Sequence, residues 1–183
     1  MIETKTKRII LSAMFIGIGL VLPFFTGQIH GIGKMLLPMH IPVLLCGLIC
    51  GWQYGLLVGF ILPLLRSVLF SMPVMYPNAI GMAFELATYG VISGLLYKNK
   101  KGVLKIYLAI ITAMISGRIV WGMMKAILLG MSGETFTLNM FVSVALFEAI
   151  PGIILQLVLI PAIISAVEYS KNKKEKTNEK VSV

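Results

Sequence analysis

From Ile9 onward one apolar stretch follows another along this chain, each near the length of about 20 residues that crosses ~30 Å of hydrocarbon, with short breaks between them. Read as helices, the stretches fall at 9–25, 36–51, 54–72, 79–97, 103–129 and 140–168. Hydrophobic residues make up 58% of the 183 and charged residues 13%, with a mean hydropathy of +0.94. A soluble domain of this size has no interior large enough for so much apolar surface. The expected fold is therefore an all-α membrane protein, a compact bundle of six transmembrane helices. The second is short and carries Pro38 and Pro42 at its start, so it is either partly broken or oblique. Residues 1–168 form the transmembrane domain, and 169–183, rich in Lys, Asn and Glu without apolar periodicity, read as a charged, disordered and solvated cytoplasmic tail.

Basic residues give the orientation, because short cytoplasmic loops collect Lys and Arg. Twelve of the 16 fall on one side of a six-helix layout: Lys5, Lys7 and Arg8 before the first helix, Lys98, Lys100, Lys101 and Lys105 between the fourth and fifth, and Lys171, Lys173, Lys174, Lys176 and Lys180 in the tail. Lys34 alone falls in a presumed outer loop. Both termini are expected in the cytoplasm, and the formal net charge of +9 reflects topology rather than nucleic-acid binding. The first stretch resembles a secretory signal in its basic flank, but Pro23-Phe24-Phe25-Thr26 offers no small-x-small cleavage site, so it reads as a retained helix.

Five charged residues interrupt the apolar stretches: Arg66, Glu85, Arg118, Lys125 and Glu148. Charge in hydrocarbon is costly and marks functional sites in membrane proteins. At about 1.5 Å per residue, Arg118 stands more than ~20 Å up a helix that starts inside, and Lys125 stands higher. Glu85 and Glu148 come roughly 10 Å below the outer surface by the same rise, and Arg66 sits late in an outward-running helix. Groups from four helices thus converge on the outer half. Two readings compete: Arg66 and Arg118 pair with Glu85 and Glu148 merely to pin helices, or the charges line a polar pocket open to the outside.

In the pocket reading, three cations against two carboxylates leave one positive charge for a small ligand bearing one carboxylate, held by a planar guanidinium. Lys125 has the alternative of snorkelling to the interface. Arg118, Trp121 and Lys125, spaced three and four apart, share a helical face. Trp121 either stacks on the ligand or belongs to an interfacial aromatic belt. Glu85 and Tyr89 are one turn apart, while Asn78 and Asn139 open the helices that carry Glu85 and Glu148. His40, beside Pro42, either lines the site or is a hydrogen-bonded structural residue. The glycine-rich loop 26–34 and the proline-stiffened loop 71–77 are candidate covers.

Cys46 and Cys50, one turn apart, lack partners in sequence that would complete a metal site, and read as buried thiols. There is no Walker loop and no nucleophile–base–orienter arrangement, so neither ATP hydrolysis by that route nor an enzyme is expected. No inverted repeat of the kind common in alternating-access carriers is visible. Ala13 and Gly17 on the first helix form a small-xxx-small pair that permits close helix approach.

Six helices, a basic rim, that small pair, and the run Leu37-Pro38-Met39-His40-Ile41-Pro42-Val43-Leu44-Leu45 followed by Gly51-Trp52-Gln53-Tyr54-Gly55 together resemble the substrate-binding S components of energy-coupling factor (ECF) vitamin transporters. The resemblance extends over about residues 7–166. It implies a membrane-embedded subunit that binds a micronutrient from outside, topples in the bilayer, and is emptied by a T subunit with two ABC ATPases, which hydrolyse the ATP; the chain itself needs no cofactor. It also implies docking on the T subunit through an Ala-xxx-Ala motif, here Ala13 and Gly17. The resemblance further implies a binding site at the outer ends of helices four to six, where Glu85, Arg118, Trp121 and Glu148 fall. A pantothenate-like acid suits the surplus positive charge, and a pyridoxine-type ring suits Trp121 and Tyr89 with a carboxylate. A self-sufficient secondary transporter, with Glu85 or Glu148 coupling protons, and a structural membrane protein with internal ion pairs are the rival classes.

Overall fold

The computed structural model describes residues 4–27, 36–98, 102–144 and 149–181. Among these residues all regular structure is helical: α1 (Lys5–Gly27), α2 (His40–Cys50), α3 (Trp52–Phe70), a π-helical turn (Met75–Ala79), α4 (Ile80–Tyr97), α5 (Val103–Met131), α6 (Leu138–Val142) and α7 (Ile150–Val181). Among the described residues five spans are long and apolar enough to cross a membrane, where six were expected: α1, α3, the π-turn with α4, α5, and the 150–170 portion of α7.

The shortfall is at α2. Its 11 residues reach only about 16 Å. The positive φ of Leu37 breaks the chain just before it, and Pro42 falls within its first turn, where a missing N–H costs least. Where a sixth helix was expected over 140–168, the described residues form α6 and the start of α7. Thr137 caps the five-residue α6 by accepting from the Met140 amide, and α7 begins at Ile150 with Pro151 in its opening turn. Glu148 lies outside the described residues. At the other end α7 continues as helix to Val181, where a disordered tail was expected; Lys- and Glu-rich sequence has good helix propensity.

Short as it is, α2 forms the axis of the bundle. Ten of its residues are buried, as befits a helix that is apolar all round, and it packs against α1, α3, α4 and α7. Helices α2, α3 and α4 approach to backbone contact through glycines. A side chain on Gly90 would strike the Gly55 backbone, and one on Gly59 would strike the Leu86 carbonyl. With little hydrophobic drive between helices in lipid, such close van der Waals contact is what holds them. The outward faces carry large apolar residues, among them Leu57, Ile115 and Val158, which suits contact with acyl chains.

One end of the bundle collects the basic residues. Arg8 of α1, Cys50 of α2, Trp52 of α3 and Lys98 after α4 border one cavity there, and the Tyr97 hydroxyl donates to the Glu168 carboxylate of α7. Helices α1, α3 and α5 therefore run away from this end, and α2, α4 and α7 run toward it. At the far end Tyr76 donates to the Leu128 carbonyl, tying the π-turn to the end of α5.

Gly90→Leu is expected to cost more than the ~1–3 kcal/mol typical of overpacking, because the new side chain meets backbone. Gly17→Leu, with nothing near its Cβ, should leave stability unchanged. Thermal unfolding of the two variants in detergent, followed by circular dichroism, measures the contrast.

Candidate functional site

The Glu85 carboxylate is the centre of the polar interior. It sits on α4 at 1% exposure, and its Oε1 gathers three partners from three helices: Arg118 Nη1 of α5 at 3.1 Å, the Tyr89 hydroxyl one turn along α4 at 3.3 Å, and His40 Nε2 at the start of α2 at 3.5 Å. The His40 and Tyr89 rings meet at 5.2 Å. Space for the Tyr89 ring exists because position 117 on α5 is glycine; any side chain there would occupy the ring's place. His40 is thereby bound into the site by the same kink that shortens α2.

Above this cluster Trp121, one turn further along α5, lies between two cations: the Arg118 guanidinium carbon is 6.0 Å and the Lys125 ammonium 5.9 Å from its ring centroid. Lys125 in turn donates to the Asn78 side-chain carbonyl in the π-turn. Glu85, Arg118, Trp121, Lys125 and Asn78 thus form a continuous polar column along the α4–α5 seam. Phe136 and Phe141 close over Trp121, at 6.0 and 6.2 Å between centroids.

Two residues named from the sequence do not join this column. Arg66 turns to α1 instead: it donates to the Leu20 carbonyl, within the turn loosened by Pro23, and its guanidinium lies 4.9 Å from the Phe24 centroid and 5.5 Å from that of Phe70. It clamps α1 to α3. Asn139 is exposed on α6. One buried polar residue that the sequence reading passed over lies at a similar height in the bundle. Gln156 of α7 is completely buried, and both its amide atoms lack a partner among the described residues. Glu85 and Gln156 each lie about three turns, roughly 18 Å, back from the Tyr97–Glu168 contact, so they stand at the same depth. Its signal was available, since Gln156 is the sole polar side chain in the apolar run 149–164.

Unmet polar capacity gathers at this level. Among the described residues Arg118 Nε and Nη2, both His40 ring nitrogens and the Gln156 amide are all buried without hydrogen-bond partners. Nε–H and the Nη2 N–H on the same side of the guanidinium form one of its two paired-donor edges, the arrangement that matches a carboxylate. Glu85 holds Arg118 by the remaining nitrogen and leaves that edge unpaired.

The family profile described as "ECF transporter, substrate-specific component" matches residues 7–166. The chain belongs to this family. It is accordingly the substrate-specific subunit of an ECF importer, a multi-pass integral membrane protein and a transport subunit rather than an enzyme. Comparison with curated proteins and with solved structures gives no match. Family membership implies association with a T subunit and ATPases and a small-molecule substrate.

Removing one partner of a buried ion pair strands the other. Glu85→Leu is expected to destabilise the S component by about 3–5 kcal/mol, with much of the loss recovered in Glu85→Leu/Arg118→Leu. Denaturation midpoints of the two variants against the unsubstituted protein check this coupling.

Proposed function

We propose that this S component captures a water-soluble B-group vitamin or related micronutrient bearing an acidic group, pantothenate-like or pyridoxine-like, at the Glu85–Arg118–Trp121 column. The observation that carries this reading is the unpaired Nε/Nη2 edge of Arg118. A guanidinium fixed by Glu85 on one side is pre-oriented for an anion on the other, so little rotamer freedom is lost when the ligand arrives. Trp121 and Tyr89 supply aromatic surface, and His40, Lys125, Asn78 and Gln156 supply further polar contacts at two depths. Glu148 is retained as a contributor from its sequence position alone.

In this reading both termini are cytoplasmic, and the site faces outward. The chain holds no cofactor; ATP is hydrolysed by two ABC ATPases joined to a T subunit. Docking runs through α1, whose Ala13 and Gly17 are exposed beside Met14, Ile18 and Val21. An apolar groove along Gly17, Ile18, Val21, Leu22 and Phe25 offers a partner helix close approach.

The ligand test is a titration with B-group vitamins in a Trp52→Phe background, so that Trp121 alone reports. Saturable change with one acidic or pyridoxine-type compound supports the reading, and a flat response across the panel from folded protein removes it. For the responding compound, Arg118→Lys should weaken binding roughly ten- to hundredfold, because the charge stays but the paired donors go. Docking separates from capture: Ala13→Leu/Gly17→Leu should abolish uptake in cells that supply the partner subunits while leaving the fluorescence titration unchanged. Loss of both would place α1 in the binding site instead.

A further inference from the structure

Among the described residues, buried side-chain nitrogens and oxygens without a hydrogen-bond partner belong to three residues only: Arg118 of α5, His40 of α2 and Gln156 of α7. Other polar groups of the interior are met locally. The Ser12 and Ser93 hydroxyls donate to carbonyls one turn back on their own helices, and Arg66 donates to the Leu20 carbonyl. Arg118 and His40 meet at Glu85, at 3.1 and 3.5 Å from the same oxygen. Gln156 belongs to a fourth helix and to none of these contacts.

The pattern of α7 accounts for where Gln156 sits but not for its chemistry. Ala149, Gly152, Gln156, Ile160 and Ile164 recur at three- and four-residue intervals and are all buried, so they form the inward stripe of the helix. Ile160 and Ile164 join the apolar core. An apolar residue at 156 would continue the stripe; the position instead holds an amide whose donor and acceptor are both unmet. Helix α7 packs on α2 and α5, the helices that carry His40 and Arg118, and Gln156 stands at the height of Glu85. Burying an unpaired amide costs free energy, and a ligand that pairs with both its ends removes the cost.

We infer that Gln156 is a specificity-determining residue of the substrate site, and that the transported acid also carries a neutral group of amide type, a carbonyl acceptor with an N–H donor, which pairs with the Gln156 side chain. The inference rests on the reading of Arg118 as the anchor of the ligand's acid. An amide-type group fits because Gln156 Nε2 donates while Oε1 accepts; a lone donor or a lone acceptor leaves one of the two unpaired in the interior. With Arg118 held at Glu85 and Gln156 at the same height, the ligand lies across the bundle, its acid toward α5 and its neutral group toward α7. A site built to hydrogen-bond one substrate group rejects analogues lacking it far more strongly than an apolar pocket rejects a smaller ligand.

Two groups of compounds test this by isothermal titration calorimetry on the detergent-purified protein. Pantothenate, biotin and folate combine a carboxylate with an amide, ureido or lactam group; nicotinate, lipoate and 4-pyridoxate carry a carboxylate without one. The tightest ligand is expected in the first group, and Gln156→Met should weaken it about ten- to hundredfold. The same variant should raise the denaturation midpoint of the ligand-free protein, because an apolar side chain of similar length replaces an unpaired amide. A purely structural glutamine gives the opposite pair of results, a lower midpoint and unchanged affinity, and either of these overturns the inference. So does a tightest ligand from the second group. Arg118→Lys shows which reading has failed: an acid whose binding depends on Arg118 but not on Gln156 removes this inference alone, whereas no binding by any of the acids removes both. The comparison of compounds uses the unsubstituted protein, so a folding defect in a variant does not decide the result.

Discussion

A carboxylate at 1% exposure in a membrane bundle survives only if its neighbours replace water, and the interior of this protein is arranged around meeting that demand at Glu85. One oxygen meets the Arg118 guanidinium of α5 and the Tyr89 hydroxyl of α4, with the His40 ring of α2 within 3.5 Å. Each of the three constrains an element. His40 reaches Glu85 because α2 begins there and not a turn earlier; Arg118 fixes the depth of α5 against α4; Tyr89 fills the notch left by Gly117. The ion pair is consequently both a structural pin and the fixture that aims a guanidinium. These two roles were set against each other as rival readings of the sequence, yet they are compatible, since Glu85 engages Nη1 and the paired edge formed by Nε and Nη2 is left over.

Helix α4 serves this arrangement with two faces of different character. Gly90 and Gly94 press against the backbones of α2 and α3, where absence of a side chain is the requirement. Glu85 and Tyr89 point toward α5 and the start of α2, where chemistry is the requirement. The close glycine contacts have a further effect: they fix three helices as one rigid unit, so polar groups on α4 are positioned by packing rather than by their own side-chain contacts. Helix α5 meets that unit along the column from Arg118 to Lys125, a seam lined by charge and aromatic surface. A seam of that kind is better suited to opening for a ligand than the glycine contacts are.

Much of this was legible in the sequence because it depends on one dimension. Hydropathy located α1, α3, α4 and α5 to within a few residues, and rise per residue put Glu85, Arg118, Trp121 and Lys125 at compatible heights. Heptad-like spacing also gave the shared face of Arg118, Trp121 and Lys125. What height omits is direction. Arg66 has a suitable height but projects toward α1, where a backbone carbonyl near Pro23 and two phenylalanine rings receive it. Gln156 escaped because the search was for charge, whereas an amide buried in an apolar helix has a comparable, if smaller, need for partners. The length of α2 was overstated since hydropathy does not register the backbone break at Leu37.

Helix α1 differs from the other long helices in how it is held. Only 17% of its spanning window is buried, against 56% for the π-turn and α4 together. Among its polar attachments, Ser12 lies 3.6 Å from Cys46 of α2 nearer the basic end and Arg66 donates to the Leu20 carbonyl nearer the far end, while on the inner side Phe15 is buried and Gly19 lies against Leu62. Between them Ala13 and Gly17 face outward with little side-chain bulk. A helix secured at separated points and bare along its outer middle keeps its orientation to the bundle while a second helix lies against it. Were α1 buried as deeply as α4, the small pair would be spent on internal packing and no such surface would remain; were it less secured, a force applied to it would peel it from the bundle rather than turn the bundle with it. Arg66, the charge that does not join the Glu85–Arg118 column, thus has a reason to be buried where it is: it ties α1 to α3, part of the rigid unit that holds Glu85.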